Sequence, residues 1–232
     1  MFTKNWICVV AAVVALSVAG TAQAAIIDAQ SWGGSGLHFG VSATDLIDAS
    51  QTGITLTSVT LTGGVSFGGE VVNFNDGSEE SGAAGYTGNG FCPNNGAVMT
   101  VVLDTSVNPL GYDIGSIVSL TGGADNETDR VSQGYDAEYH VVGGGDTWTT
   151  LANVAQTFTG TGGEVYGGEL KVTITDTGAT GVDQLRFTFH NNPDISIYRE
   201  IDVQGTPTPE PATMALLAVG GIAALLRRKR RA

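Results

Sequence analysis

Short runs of strand length, separated by glycine-rich turns, fill the chain from residue 54 to residue 203. In these runs apolar residues alternate with polar ones, which places them on opposite faces of a half-buried strand. The chain holds 34 glycines, and glycine weakens the interior of a helix. The pattern therefore predicts an all-β fold, an antiparallel β-sandwich with no helix between its two ends.

The clearest strand predictions are found in both halves of this region. Residues 54–61 alternate with a phase change at Ser58, which predicts a bulge in that strand. The turn Gly143-Gly144-Gly145-Asp146 predicts a hairpin. Further strands are predicted at residues 71–74, 97–103, 113–120, 136–142, 147–152, 170–175 and 184–190.

The first 24 residues have the pattern of a secretory signal peptide. Lys4 supplies a positive charge, residues 7–19 are apolar, and Ala22-Gln23-Ala24 is a cleavage site of the small-x-small type. We expect cleavage after Ala24 or Ala25. The sequence therefore predicts export of a body that spans residues 25–204.

Three elements follow one another at the carboxyl end of the chain. Residues 205–211 form a Pro-rich linker that ends in Pro209, Glu210 and Pro211, and residues 212–226 are an apolar run without charge. These 15 residues would span roughly 22 Å as a helix, somewhat less than the hydrocarbon core of a bilayer. We predict a short transmembrane helix, followed at residues 227–232 by a basic cytoplasmic tail that contains Arg227, Arg228, Lys229, Arg230 and Arg231.

This order of elements resembles the PEP-CTERM sorting signal of Gram-negative bacteria. The resemblance implies a partner, the membrane protease-transpeptidase exosortase, which would process the chain near Pro209, Glu210 and Pro211. The five basic residues would stop transfer through the inner membrane, where the protein would stay briefly before it reaches the cell surface or the medium. An ordinary membrane anchor is the alternative.

The charge of the exported body restricts its partners. The body carries four basic and 22 acidic residues, a net charge of −18. Because phosphates repel such a surface, nucleic acid is excluded as a partner. Cys92 is the one cysteine left after the signal peptide is removed, so we expect a buried thiol and no internal disulfide.

Five segments of the second half follow one another in a characteristic order. They are residues 112–117 (YDIGSI), 130–139 (RVSQGYDAEY), 145–151 (GDTWTTL), 186–189 (RFTF) and 199–205 (REIDVQG). Together they resemble the discoidin, or galactose-binding-like, jelly roll. That resemblance implies an eight-stranded β-sandwich whose loops at one end often bind sugars, and it implies an extracellular polysaccharide as a partner.

Four aromatic residues are candidates for stacking on a sugar ring. Trp32, Tyr86 and Phe91 lie in glycine-rich stretches, and we predict that they contact the ligand. Trp148 lies in a predicted hairpin strand, which favours a place in the core.

One loop has the composition of a cation site. Asp125, Glu127 and Asp129 alternate beside Gly122-Gly123, and carboxylates so placed can wrap a hard cation. We therefore consider structural Ca²⁺ as the one cofactor, and a solvated turn as the alternative. The histidines His38, His140 and His190 have no metal-ligand spacing.

We predict that the protein is not an enzyme. We expect an exported surface or extracellular-matrix protein whose β-sandwich binds exopolysaccharide. A structural matrix component without a specific ligand is the first alternative. A secreted hydrolase, with an acid pair in a cleft, is the second.

Overall fold

The structure is a computed structural model of the whole chain, and it describes residues 24–32, 39–40, 42, 44–48, 56–65, 90–122, 130–159, 168–191 and 196–210. The predicted signal peptide, the predicted strand 71–74 and the predicted transmembrane helix lie outside these residues. The strands within them are β1 Ala25–Trp32, β2 Leu56–Thr62, β3 Val98–Leu103, β4 Tyr112–Gly122, β5 Gln133–Val141, β6 Thr149–Gln156, β7 Gly168–Thr175, β8 Val182–Phe189 and β9 Tyr198–Pro207.

The strands form two antiparallel layers. The first layer has the order β1-β7-β4-β9. The second has the order β2-β3-β8-β5-β6. A single residue pair, Tyr112 with Val182, joins the two layers at one corner. The all-β antiparallel sandwich predicted from the sequence is therefore confirmed.

The core lies between the layers, because each strand turns its apolar residues toward the other sheet. In β8 the side chains of Leu185, Phe187 and Phe189 are buried, as the alternation predicts. From the first layer, β7 contributes Val172 and Ile174, which are also buried. Each layer thus supplies one wall of the core.

Ring side chains connect the two layers across the middle of the core. Tyr198 of β9 lies 5.0 Å from the ring of Phe189 and 6.1 Å from the ring of Tyr135, both in the opposite layer. Phe91 contacts Phe189 at 5.4 Å with its edge toward the ring. Edge-to-face pairs of this kind add to the free energy gained from apolar burial.

A buried polar network also spans the layers. The Ser119 hydroxyl of β4 contacts the Tyr135 hydroxyl at 2.8 Å and donates to Gln133 Oε1 at 2.5 Å. Gln133 Nε2 in turn donates to the Leu170 carbonyl of β7 at 2.8 Å. Because these polar groups satisfy one another, their burial fixes which residues face each other across the core.

Several sequence predictions can be compared with these strands. The register of β2 against β3 shifts between Leu56 and Ser58, which confirms the predicted bulge. Strand β4 includes the predicted strand 113–120 and continues through Gly115, where its register against β9 shifts. Strand β1 was not predicted, because its sequence AIIDAQSW does not alternate. It pairs along its whole length with β7.

Strand β9 reaches further than the sequence indicates. It continues to Pro207 and pairs with β4 as far as Tyr112. The linker predicted at residues 205–211 therefore begins with three residues that belong to a strand. No helix among the described residues is long and apolar enough to cross a membrane.

The contact between β7 and the segment after β6 gives a test of the core. A Cβ atom on Gly168 would lie 2.2 Å from Cζ of the buried Phe158 ring. We expect Gly168→Ala to lower the free energy of unfolding by about 1–3 kcal/mol, because the ring must move within a packed core. Equilibrium denaturation of the purified protein measures the change.

The matched control is Gly40→Ala. A Cβ on Gly40 meets no atom within 4 Å, and we expect a change of less than about 0.5 kcal/mol. Equal denaturation midpoints for the two variants would contradict the packing described here.

Candidate functional site

The body ends where the sorting segment begins. Pro207 is the last residue of β9 and pairs with Tyr112. Thr208 follows, and both its backbone amide and its side-chain hydroxyl form hydrogen bonds with the body. Its amide donates to the Gly111 carbonyl at 2.9 Å, and its hydroxyl donates to Asp113 Oδ1 at 2.5 Å. The exposed Pro209 and Glu210 come directly after this point.

Two turns form the place where Thr208 sits. Gly111 adopts a φ of 76°, a backbone conformation that residues other than glycine rarely adopt. A Cβ at this position would lie 2.6 Å from the Val182 carbonyl oxygen. Glycine at 111 therefore allows this turn to pack closely against the turn that contains Gly181. The Gly181 amide donates to the Thr208 hydroxyl at 3.1 Å and to Asp113 Oδ1 at 3.3 Å. Asp113, Gly181 and Thr208 thus share one set of hydrogen bonds.

The remaining residues of the predicted sorting signal lie outside the described residues. They are Pro211 and the basic residues Arg227, Arg228, Lys229, Arg230 and Arg231.

A second candidate site is a group of polar and aromatic side chains on the outer face of the second layer. The Arg186 guanidinium lies 4.2 Å from the centroid of the Trp148 ring. Its Nε and Nη2 atoms contact Glu138 Oε2 at 2.8 and 2.7 Å. Arg186 and Glu138 are direct neighbours because β5 and β8 pair in that register. We call Trp148, Arg186, Glu138, His140 and Asp183 the outer-face cluster.

The histidine of this cluster is bound on both ring nitrogens. His140 Nδ1 contacts Asp183 Oδ1 at 2.6 Å, and Nε2 contacts the Gly145 carbonyl in the β5–β6 hairpin. The hydrogen bond to Asp183 raises the pKa of His140, and the carboxylates of Asp183 and Asp146 act in the same direction. The imidazole therefore ties the hairpin to β8 and positions Trp148, whose ring centroid is 5.7 Å away.

The outer-face cluster was only partly visible in the sequence. Alternation in β5 and β8 places Glu138, His140 and Arg186 on outward faces, but the pairing of the two strands requires the fold. Trp148 was expected in the core and is instead half-buried at the surface. The correction has a physical reason, because the guanidinium covers part of the indole that would otherwise need burial.

The three predicted sugar-stacking residues fall in different places. Phe91 is a correction, since its side chain is 0% exposed and cannot reach a ligand. Two backbone hydrogen bonds, at 2.7 and 2.8 Å, hold it against Tyr198. Trp32 ends strand β1 opposite Gly168, and Tyr86 lies outside the described residues.

The predicted calcium ligands Asp125, Glu127 and Asp129 also lie outside the described residues. Within the described ranges, no group of three or more His, Cys, Asp or Glu side chains is arranged to hold a metal ion. The Cys92 thiol is buried, as predicted, and burial raises its pKa to about 11.

Three carboxyl groups lie close together where residues 44–48 pack against β9. Asp202 is 3% exposed, and its Oδ2 accepts from the Ser42 amide at 2.9 Å. Asp45 Oδ1 accepts from the Ile47 amide at 2.8 Å and from the Val203 amide at 3.3 Å. Asp48 is also buried nearby. We call Asp45, Asp48 and Asp202 the acidic cluster.

Burial raises the pKa of Asp202 to about 7. The carboxylates of Asp45 and Asp48 add to this effect, whereas the Ser42 amide and the Lys171 ammonium oppose it. Burial also raises the pKa of Asp45. The cluster therefore holds a proton in the folded protein at a pH where the unfolded chain has lost it.

The acidic cluster makes stability depend on pH. An unfolded aspartate titrates near pH 4, and Asp202 in the fold titrates near pH 7. Its contribution to stability is therefore complete below about pH 4 and is lost as the pH rises through about 7. We expect the free energy of unfolding to fall between about pH 4 and pH 7, with an upper limit of about 4 kcal/mol from this residue.

Denaturation curves at several pH values, for the wild type and for Asp202→Asn, measure this effect. The variant cannot ionise and should show a flatter pH profile. The exposed Asp176 provides the control, because its φ of 53° suits asparagine as well as aspartate and Asp176→Asn should keep the wild-type profile. Identical slopes for the wild type and Asp202→Asn would refute the assignment.

Comparisons with known proteins give one family match and several similar folds. A family model described as the PEP-CTERM protein-sorting motif matches residues 207–231. No curated protein sequence matches the chain.

Similar solved structures have low sequence identity. A module called CBM32-1, from a family 31 glycoside hydrolase of Clostridium perfringens, is 12% identical, with a TM-score of 0.40 over 63% of this chain and 93% of that one. A histidine mutant of the lectin binding domain of Lectinolysin, complexed with Lewis b, is 11% identical, with a TM-score of 0.43 over 70% and 96% of the two chains. Chitosan-binding module 1 of a chitosanase/glucanase from Paenibacillus sp. IK-5 is 18% identical, with a TM-score of 0.38 over 69% and 98%.

The family match begins at Pro207, the residue where strand β9 ends. It includes Pro209, Glu210 and Pro211 and the basic residues at the end of the chain. The protein thus carries a PEP-CTERM protein-sorting motif that continues directly from its β-sandwich.

Proposed function

We propose that this protein is exported, held briefly at the inner membrane by its carboxyl-terminal segment, and processed there by an exosortase-type enzyme. Processing breaks a peptide bond close to Pro209, Glu210 and Pro211. The acyl carbon passes to water or to an amine of an acceptor, and the amine that leaves takes up a proton. The β-sandwich is then released or attached at the cell surface.

The observation that carries this proposal is the position of the sorting motif relative to the fold. The motif starts at the last residue of β9, and its Pro209 and Glu210 are exposed. A membrane enzyme can therefore meet these residues at one rim of the folded body. The five basic residues, Arg227 to Arg231, would stay on the cytoplasmic side and hold the chain in this orientation.

Mass spectrometry of the surface-exposed protein tests the proposal. We expect a carboxyl terminus close to residue 210 in most wild-type molecules. Glu210→Ala changes the exposed motif and leaves the core intact. We therefore expect this variant to escape processing and to keep its basic tail. Asp146→Ala, an exposed acid on the β5–β6 hairpin, is the control and should be processed normally. An intact tail on most mature wild-type molecules would favour a simple anchor.

We further propose that the exported body binds a neutral extracellular polysaccharide. The outer-face cluster supports this role, because it brings a half-buried indole, a guanidinium and two carboxylates together on the outer face of the second layer. Such groups match the apolar faces and hydroxyls of a sugar. With a body charge of −18, an anionic polymer would need bridging cations. Trp32 and Tyr86 stay proposed ligand contacts.

Affinity electrophoresis in gels that contain neutral or acidic polysaccharides tests this second proposal. We expect a neutral polymer to retard the wild-type body, and we expect Trp148→Ala to reduce the retardation at least threefold. Lys171→Ala changes a half-buried cation of the first layer and should leave retardation unchanged. If no polymer retards the wild type, the body is a structural matrix component without a specific ligand.

We infer that the body acts by binding and not by catalysis. Asp48 and Asp202 of the acidic cluster are buried at 1% and 3% exposure, where a substrate cannot reach them. Calcium binding by Asp125, Glu127 and Asp129 stays a prediction.

A further inference from the structure

Thr208 is the last residue that the folded body holds before the exposed part of the sorting motif. Its amide binds the Gly111 carbonyl, and its hydroxyl lies between Asp113 Oδ1 and the Gly181 amide, at 2.5 and 3.1 Å. Thr208 is half-buried, whereas Thr206 and Pro207 before it and Pro209 after it are exposed. Thr208 therefore has three hydrogen-bond partners, one through its amide and two through its hydroxyl, and is more than a chain end lying on the surface.

We propose that these contacts form a clasp, made of Gly111, Asp113, Gly181 and Thr208, which controls access to the processing site. The inference rests on the proposed processing near Pro209, Glu210 and Pro211. While the clasp is closed, the chain before Pro209 belongs to the β-sandwich. The enzyme acts when this end of β9 opens.

The first argument for the clasp is that the backbone before the motif is already paired. Thr206 and Pro207 face Asp113 and Tyr112 in the ladder between β9 and β4. Enzymes that cut or transfer peptide chains take them in extended form and bind their backbone groups. A segment that is bonded to β4 cannot offer the same groups to an enzyme.

The second argument is the short distance between the clasp and the predicted membrane segment. Residues 209–211 are all that separate Thr208 from residue 212. Three extended residues reach roughly 10 Å. The motif therefore cannot loop far from the rim of the body, and release of residues 206–208 is the direct way to lengthen the accessible chain.

The third argument is that this opening can be local. Residues 198–203 of β9 are buried, but Gln204 and Gly205 are half-buried and Thr206 and Pro207 are exposed. Strand ends with exposed hydrogen bonds open at much lower free energy than core strands. The clasp can thus open while Tyr198 stays between the two layers and the sandwich remains folded.

Removal of the Thr208 hydroxyl tests the clasp in the full-length chain. Thr208→Val keeps the branched shape and the amide but loses the contacts to Asp113 and Gly181. One net hydrogen bond corresponds to a change of roughly twofold to tenfold in the open population. In a pulse-chase experiment in the host that processes the wild type, we expect the unprocessed form of the variant to disappear faster by that factor.

Two variants control for effects other than the hydroxyl. Thr208→Ser keeps the hydroxyl and should be processed at the wild-type rate. Thr206→Val makes the same substitution at an exposed position two residues earlier and should also match the wild type. Processing of Thr208→Val that is unchanged or slower than wild type would overturn the proposal, since a clasp that guards the site must speed processing when weakened.

A second measurement separates the clasp from the proposed function. In hydrogen exchange of the detergent-solubilised full chain, Thr208→Val should speed exchange of the Thr208 and Gly181 amides twofold to tenfold and leave the Ile201 amide unchanged. If the wild type is never processed but this local exchange is seen, the proposed processing fails while the clasp contacts stand. If exchange at these amides does not change, the clasp itself is refuted.

Discussion

The contact of Tyr198 with the rings of Phe189 and Tyr135 is the interaction on which the rest of the structure depends. It joins β9 of the first layer to β5 and β8 of the second, so the two sheets cannot separate without exposing all three rings. Among the residues that the structure describes, Cys92 is the one cysteine and its thiol is free, so no disulfide shares this task there. Stability therefore comes from apolar burial and from the Ser119, Gln133 and Tyr135 network, whose satisfied hydrogen bonds fix the register of the sheets.

Strand β9 links this core to the sorting segment. Its first half is buried beneath the aromatic contacts, and its second half emerges beside the turns at Gly111 and Gly181. Because one strand has both roles, Pro207 and Thr208, the first residues of the sorting motif, take their places when the end of β9 joins β4 and the turn at Gly111.

Charge is distributed unevenly over this small set of elements. The acidic cluster puts Asp45, Asp48 and Asp202 close together where residues 44–48 pack against β9, and burial there favours the protonated form of Asp202. On the opposite layer, Arg186 is placed over Trp148 and against Glu138, so one of the four basic residues of the body is used in a single surface contact. The two arrangements differ because a half-exposed ion pair keeps part of its hydration, whereas a buried carboxylate loses it.

The sequence by itself determined the strand type, the alternating core of β8, the bulge in β2 and the sorting signal at the carboxyl end, since these depend on local periodicity and on residues that are contiguous in the chain. It did not determine strand β1, which does not alternate and depends on its pairing with β7. The burial of Phe91, the half-buried place of Trp148 at the surface and the contacts of Thr208 were decided by the tertiary structure. Each depends on partners that are far away in sequence, such as Tyr198, Arg186 and Asp113, and no local pattern specifies which residues the fold will bring into contact.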